Sequence, residues 1–145
     1  MTAVDTNLLF AWLNENHAWH GLATAWMTKQ MHNSELVLCE LCLVELYGLL
    51  RNPAVVKRPL DAPAAVEVIR RLRSHPDWEL VDCPSGRMEE VWSEAGKPGV
   101  ARRRIYDLRL ALALRHHGIE ELATANPKDF DGLGFRRVWN PLTDG

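Results

Sequence analysis

Short apolar runs alternate along the chain with longer stretches in which apolar residues recur every three or four positions. The short runs predict β-strands at residues 2–4, 36–39, 78–81, 122–124 and 136–139. The periodic stretches predict helices at residues 8–13, 19–27, 40–50, 63–72, 86–95 and 101–117. Strands that alternate with helices are typical of an α/β domain whose central, mainly parallel sheet is flanked by helices.

Length and composition limit the class of protein. The 145 residues, of which 47% are hydrophobic and 25% charged, fit one globular domain over residues 1–145. No apolar run approaches the roughly 18 residues of a membrane span, and the start has Asp5 but no basic segment, unlike a signal peptide. Three cysteines, an odd number, suggest reduced thiols and a cytoplasmic protein without membrane association.

Net charge at first argues against a nucleic-acid partner, since it is −2. The 17 basic residues, however, include only four lysines and therefore 13 arginines, the side chain best suited to forked recognition of phosphate. Arg102, Arg103 and Arg104 form one cluster at a predicted helix start, where positive charge is disfavoured. That position suggests a purpose other than helix stability, although three solvated arginines are the simpler interpretation.

Three carboxylates occur in apolar settings. Asp5 lies between the first apolar run and Leu8; Glu45 and Asp107 have mostly non-polar neighbours three and four positions away on their predicted helices. A carboxylate on a buried stripe is costly unless it is paired, hydrogen-bonded or bound to a metal. We therefore expect each of the three to have a specific partner.

Two kinds of partner are consistent with this pattern. Each acid could have its own: Arg51 for Glu45, Arg103 for Asp107, and the start of the first helix for Asp5 as a cap. If the three acids converge instead, their repulsion requires a divalent cation, and Mg²⁺ or Mn²⁺ prefers such oxygen ligands. A site of that kind hydrolyses phosphodiesters.

Four motifs in order resemble one protein family, the PIN domain, and most closely its VapC-type ribonuclease toxins. The motifs are Val4-Asp5-Thr6-Asn7-Leu8-Leu9, Val44-Glu45-Leu46 followed by Leu50-Arg51-Asn52-Pro53, Tyr106-Asp107-Leu108-Arg109-Leu110-Ala111, and Ala123-Thr124-Ala125-Asn126-Pro127-Lys128-Asp129-Phe130. The ending Val138-Trp139-Asn140-Pro141-Leu142 resembles one VapC subgroup. The resemblance covers nearly the whole chain and implies a three-layer PIN-like α/β fold.

The resemblance also implies roles for particular residues. Metal-binding, catalytic carboxylates are expected at Asp5, Glu45 and Asp107. Thr124 is expected to hold Asp5 by a hydrogen bond, with Asn7 as a polar neighbour.

The chain departs from the family pattern at one position. Where many relatives carry an acid two residues after the threonine, this chain has Asn126, whose amide ligates Mg²⁺ more weakly and adds no charge. We therefore assign the fourth acidic position to Asp129, acting through a water, and regard Asp131 as a surface residue.

The implied reaction is Mg²⁺- or Mn²⁺-dependent endonucleolytic cleavage of structured RNA, commonly tRNA or ribosomal RNA, which a cognate VapB-type antitoxin silences. Arg102, Arg103 and Arg104 would then hold RNA phosphates or meet acidic groups of the antitoxin. A homodimer is a further family expectation. Trp12, Trp19 and Trp26 recur at intervals of seven and predict one face of a helical hairpin, in the core or at a dimer surface.

Other functions fit parts of the pattern. A degenerate PIN module that binds RNA or a protein without cleavage is suggested by Asn126. A phosphatase with Asp5 as nucleophile would usually have a second Asp two residues later, where this chain has Asn7. His17-x-x-His20 and Cys39-x-x-Cys42 resemble zinc-ligand pairs, but the expected burial of both thiols argues for ordinary core cysteines.

Overall fold

A computed structural model describes residues 1–144 of the chain. The strands are β1 (Thr2–Val4), β2 (Leu36–Cys39), β3 (Glu79–Val81), β4 (Glu121–Ala123) and β5 (Arg137–Trp139). The α-helices are α1 (Thr6–Leu13), α2 (His20–Gln30), α3 (Glu40–Leu50), α4 (Ala62–Arg73), α5 (Met88–Ala95) and α6 (Arg104–His116). Two short 3-10 helices cover Ser85–Arg87 and Pro127–Phe130.

The five strands form one sheet in the order β3-β2-β1-β4-β5, and every neighbouring pair is parallel. All strands therefore end at the same edge of the sheet. β2 and then β3 lie on one side of β1, and β4 and then β5 lie on its other side, so the direction of strand addition reverses after β3. Parallel sheets have their ligand crevice at such a reversal, so the ends of β1 and β4 are the place where a site is expected.

Helices cover both faces of the sheet, which makes the fold three-layered. Ala3, Val37 and Leu122 point into one buried cluster with the apolar side of α6. Their neighbours Val4 and Ala123 point into the opposite cluster, which α1 and α3 help to form. This alternation is what strands buried on both faces require, and it confirms the predicted α/β class.

The predicted elements occur with small changes. The helix predicted at 101–117 begins only at Arg104, because residues 102 and 103 form a turn. The stretch 86–95 divides into a 3-10 turn and α5. The 3-10 helix Pro127–Phe130 was not predicted from the sequence.

The prediction of one tryptophan face is wrong. Trp12 and Trp26 pack against the core cluster on the α1 side of the sheet, whereas Trp19 is 42% exposed. The seven-residue spacing does not align them because a loop separates α1 from α2. Within residues 1–144, every helix falls short of the length and apolar character needed to cross a membrane.

Candidate active site

The carboxyl edge of the sheet carries a cleft of about 1070 Å³, hereafter the acidic cleft. It is lined by Asp5, Thr6, Asn7, Phe10, His17, Glu45, Leu49, Ala101, Arg102, Arg103, Arg104, Tyr106, Asp107, Leu110, Asn126, Asp129 and Phe130. The fold thus brings together four acids that are up to 124 positions apart: Asp5 after β1, Glu45 on α3, Asp107 on α6 and Asp129 in the last 3-10 helix.

Asp5 is held by hydrogen bonds to both of its side-chain oxygens. Oδ1 accepts the backbone N–H of Thr6 at 2.8 Å, which makes Asp5 the N-cap of α1. Oδ2 accepts the hydroxyl of Thr124 at 2.7 Å and, at 3.4 Å, the side-chain amide of Asn7. The cap that the sequence suggested is therefore present, and the same carboxylate also lines the acidic cleft.

Thr124 is fully buried behind Asp5 and connects β4 to β1. Its hydroxyl oxygen also accepts the backbone N–H of Asn126 at 3.1 Å and the side-chain amide of Asn7 at 3.3 Å. Asn7 in turn accepts the backbone N–H of Ala125 at 3.0 Å. These bonds fix the rotamer of Asp5, since each partner is itself held by the backbone of the neighbouring strand end.

Burial, and then repulsion from neighbouring acids, raises the pKa values of Asp5, Glu45 and Asp107. Burial is the main cause of the raised pKa of Asp5, with a smaller increase from the charge of Asp129; the bonds from Thr124 and Thr6 oppose it. The pKa of Asp107 is raised to about 6, chiefly by burial and then by Asp129 and Asp5. A cleft of this kind favours a bound cation, because a cation relieves the repulsion.

Glu45 is exposed, which corrects the expectation of a buried acidic stripe on α3. The helix turns Leu43 and Leu46 to the core and leaves Val44 and Glu45 on the side of the cleft. Its pKa is still raised, by partial burial and then by Asp5. The suggested private partner Arg51 instead donates to the hydroxyl of Tyr47 at 2.8 Å.

Arg104 connects two of the acids. It donates to the backbone carbonyl of Asp129, and its guanidinium lies 3.9 Å from the carboxylate of Asp107. The alternative partner suggested for Asp107 was Arg103, which is exposed at the helix start and lowers the pKa values of Asp107 and Glu45 through its charge. Arg102 is likewise exposed at the rim of the acidic cleft.

The remaining predicted positions divide between the acidic cleft and the surface. Asn126 and Asp129 are exposed and line the cleft. Asp131 is exposed and does not line it. No pattern in the sequence assigns a role to Phe10 or Leu49, which also line the cleft. Tyr106 occurs in those patterns only as part of the third motif, and His17 only through its spacing from His20.

The chain that forms this acidic cleft matches a known protein family. The family model described as the PIN domain matches residues 2–135. The chain belongs to the PIN domain family. It is a full-length homologue of Ribonuclease VapC24 of Mycobacterium tuberculosis, with 46% identity over 143 residues that cover 99% of this chain and 98% of the relative.

Solved structures of other proteins share the PIN fold. The sarcin–ricin loop cleaving toxin VapC20 of Mycobacterium tuberculosis has a TM-score of 0.70 at 19% identity, covering 93% of this chain and 96% of that one. FitAcB of Neisseria gonorrhoeae has a TM-score of 0.62 at 19% identity and covers 99% of both chains. At these identities the likeness concerns the fold.

The donor set of this PIN domain fits a hard divalent cation. The acidic cleft offers carboxylate oxygens together with the amide oxygens of asparagines, the ligand types that Mg²⁺ and Mn²⁺ take. Within residues 1–144, no three His, Cys, Asp or Glu side chains form a complete metal-binding group. Mg²⁺ does not need one, since it is usually held by one or two carboxylates plus waters and substrate phosphates.

Proposed function

We propose that residues 1–145 act as a single PIN domain, a Mg²⁺- or Mn²⁺-dependent endoribonuclease toxin that cleaves structured RNA such as tRNA or ribosomal RNA and thereby inhibits translation. The observation that carries this proposal is the meeting of Asp5, Glu45, Asp107 and Asp129 in one cleft at the switch point of the sheet. Burial is the main cause of the raised pKa values of Asp5, Glu45 and Asp107, and repulsion between the acids adds to it.

The residues would have different roles. Asp5 and Asp107 would hold the metal, Glu45 would be the third carboxylate directed to it, and Asp129 would act through a water. Thr124, Asn7 and the backbone of Asn126 keep Asp5 in one orientation. Mg²⁺ or Mn²⁺, when bound, supplies an activated water and shields the charge that develops on the phosphate.

The arginines at the start of α6 would bind the RNA backbone. Arg102 and Arg103 are exposed at the cleft and free to meet phosphates on either side of the scissile bond. Arg104 is half-buried and already engaged with Asp129 and Asp107, so its main part is to position those two residues. The net charge of −2 includes the four acids of the cleft, two charges of which a divalent ion would offset.

Asn7 argues against the phosphatase alternative. An enzyme of that class would usually carry a second Asp two residues after the nucleophile, to protonate the leaving group. Asn7 occupies that position, and its side-chain amide donates to Oδ2 of Asp5 at 3.4 Å. An amide cannot act as a general acid of this kind.

The partners that we propose for this chain are suggested by structures of similar proteins. The FitAB structure, a complex bound to a DNA fragment, matches this chain with a TM-score of 0.61 at 16% identity, over 98% of this chain and 96% of that one. We propose that this chain, too, binds a cognate VapB-type antitoxin, which covers the acidic cleft. We also propose that the chain forms a homodimer. The dimer would have about twice the 16.5 kDa of one chain in light scattering. We expect it to act in the cytoplasm, which keeps thiols such as its three free cysteines reduced.

The decisive experiment compares RNA cleavage by Asp5→Asn, Asp107→Asn and Asp131→Asn with that of the unmodified protein in Mg²⁺, Mn²⁺ and EDTA. Asp131 is an exposed acid outside the cleft and serves as the matched control. We expect the first two variants to lose at least roughly 100-fold in rate, the control to stay active, and EDTA to abolish cleavage. Activity that survives EDTA contradicts the mechanism.

A second candidate function is a PIN module that binds RNA or protein without cleaving it. Asn126 favours it, because its exposed amide stands in the cleft where relatives carry an acid. If this alternative holds, the unmodified protein binds RNA without cutting it, and Asn126→Asp introduces or raises cleavage. If the first proposal holds, the unmodified protein already cleaves.

A further inference from the structure

The acidic cleft has aromatic and apolar lining residues as well as carboxylates. They are Phe10, His17 and Leu49 from α1, the loop after it and α3, and Tyr106 and Leu110 from α6. A site that bound only the phosphates of RNA would need cationic side chains and backbone N–H groups, and aromatic rings would not contribute to it. A mixed lining of this kind suits the flat faces of nucleobases.

Phe10 places part of this lining close to Asp5. It lies on α1 three residues after Asn7, on the same side of the helix and about one turn, or roughly 5 Å, further from the end that Asp5 caps. The rings of His17 and Phe10 pack nearly at right angles, with 5.8 Å between ring centroids and 88° between ring planes. His17 and the four acids thus line the same cleft.

The loop between α1 and α2 holds the His17 ring in place. Its backbone N–H donates to the carbonyl of Asn14 at 2.9 Å, which closes a tight turn. His20 anchors the other end of the loop through a contact of 3.0 Å between Nδ1 and the carbonyl of Ala11. The ring of Trp19 lies 5.4 Å from that of His17. A ring held in this way loses little freedom when it binds a ligand.

The hydrogen bonding of His17 leaves one nitrogen free. Nδ1 accepts the backbone N–H of Trp19 at 3.0 Å, so the neutral ring carries its proton on Nε2. Across residues 1–144, Nε2 of His17 has no hydrogen-bond partner. His17, which lines the acidic cleft, therefore has a donor available for a ligand.

We propose that Phe10 and His17 form a subsite for one unpaired nucleobase of the RNA, adjacent to the phosphodiester that is cut. The base stacks on the face of His17, and Nε2–H donates to a sugar or phosphate oxygen of the same strand. The inference rests on the proposed function, because it takes RNA as the occupant of the acidic cleft. It adds that the substrate must present an unstacked base at this point.

The test measures binding of two fluorescent probes, an eight-nucleotide oligouridylate and an abasic ribose-phosphate chain of equal length. Protein carrying Asp107→Asn is used so that the probes stay intact. We expect at least about five-fold tighter binding of the oligouridylate, the contribution of one stacking contact. Adding His17→Ala removes that preference and lowers the affinity for the abasic chain only by the loss of the Nε2–H bond, while His17→Phe retains the preference. His116→Ala, an exposed histidine at the opposite end of α6, is the matched control and keeps the preference.

Two results would overturn the subsite. One is equal affinity of the Asp107→Asn protein for both probes; the other is an equal loss for both probes in His17→Ala. Circular dichroism establishes that each variant is folded, and His17→Phe retains the ring should His17→Ala unfold. Failure of the unmodified protein to cleave structured RNA in Mg²⁺ or Mn²⁺ contradicts the proposed function and leaves the probe-binding result unaffected, so the two failures are distinct.

Discussion

The hydroxyl of Thr124 donates a 2.7 Å hydrogen bond to Oδ2 of Asp5, joining two residues that are 119 positions apart in the chain. The bond exists because β1 and β4 are neighbours in register, with Val4 opposite Ala123, so the residues that follow each strand meet. Thr124 is fully buried and cannot itself reach substrate. Its influence on chemistry has to pass through the orientation of Asp5.

Thr124→Val tests that influence. Valine has nearly the shape of threonine but no hydroxyl, so Asp5 loses its shortest hydrogen bond while the core stays filled. We expect metal affinity, measured by calorimetry, to fall by roughly 10- to 100-fold, as for other residues that orient a ligand. Thr124→Ser should restore most of it. Equal metal binding by Thr124→Val and unmodified protein would mean that the hydroxyl has only a structural part.

Arg104 and Arg102 should have different effects when replaced by alanine. Arg104 holds the backbone of Asp129 beside Asp107, whereas Arg102 is exposed and contacts neither. We therefore expect Arg104→Ala to lower kcat by roughly ten-fold or more through misplacement of the acids. Arg102→Ala should chiefly raise KM, because a phosphate contact is lost. For the same reason, KM of this variant should depend less on salt concentration. The reverse pattern would make Arg104 the substrate-binding residue.

Activity should rise with pH through the region near 6. The pKa of Asp107 is raised to about 6 by burial and by the neighbouring acids, and only the ionised form ligates a metal. Below that pH each unit costs up to about ten-fold in metal affinity from this carboxylate alone. Saturating Mn²⁺ should shift the midpoint of the pH–rate profile to lower pH, because the metal competes with the proton. A midpoint that does not respond to metal concentration would contradict this.

The metal-free protein should become more stable when Asp107 is replaced by asparagine. Because the pKa of Asp107 is higher in the folded state than its ordinary value of 3.8, the folded protein binds more protons between pH 4 and pH 6. The free energy of unfolding therefore falls as pH rises through that range, and the full penalty is present above it. Asp107→Asn removes the penalty, so we expect Tm at pH 8 to rise by about 2–6 °C. At pH 3.5 the difference should vanish, and added Mg²⁺ should stabilise only the unmodified protein.

Much of the architecture follows from local sequence. The alternation of apolar runs and helical periodicity predicts the five strands and six helices because each pattern reports which side of a segment is apolar. The Asp-Thr-Asn triplet after β1 predicts the helix cap at Asp5, since that bond forms within a few residues. Order and spacing of the four acidic motifs were enough to indicate the PIN family and its three-layer sheet.

Other features depend on which segments become neighbours, and no local pattern reports that. Glu45 lies among apolar residues in sequence but is exposed, because α3 packs through Leu43 and Leu46 rather than through its whole surface. Arg104 faces Asp129 only because the last 3-10 helix folds against α6. The ring of His17 reaches the acidic cleft through the turn after α1. The periodicity of apolar residues in the sequence was therefore enough to predict the helices and strands. Strand order and helix packing decided which charged and aromatic side chains share one cleft, because those contacts join residues far apart in sequence.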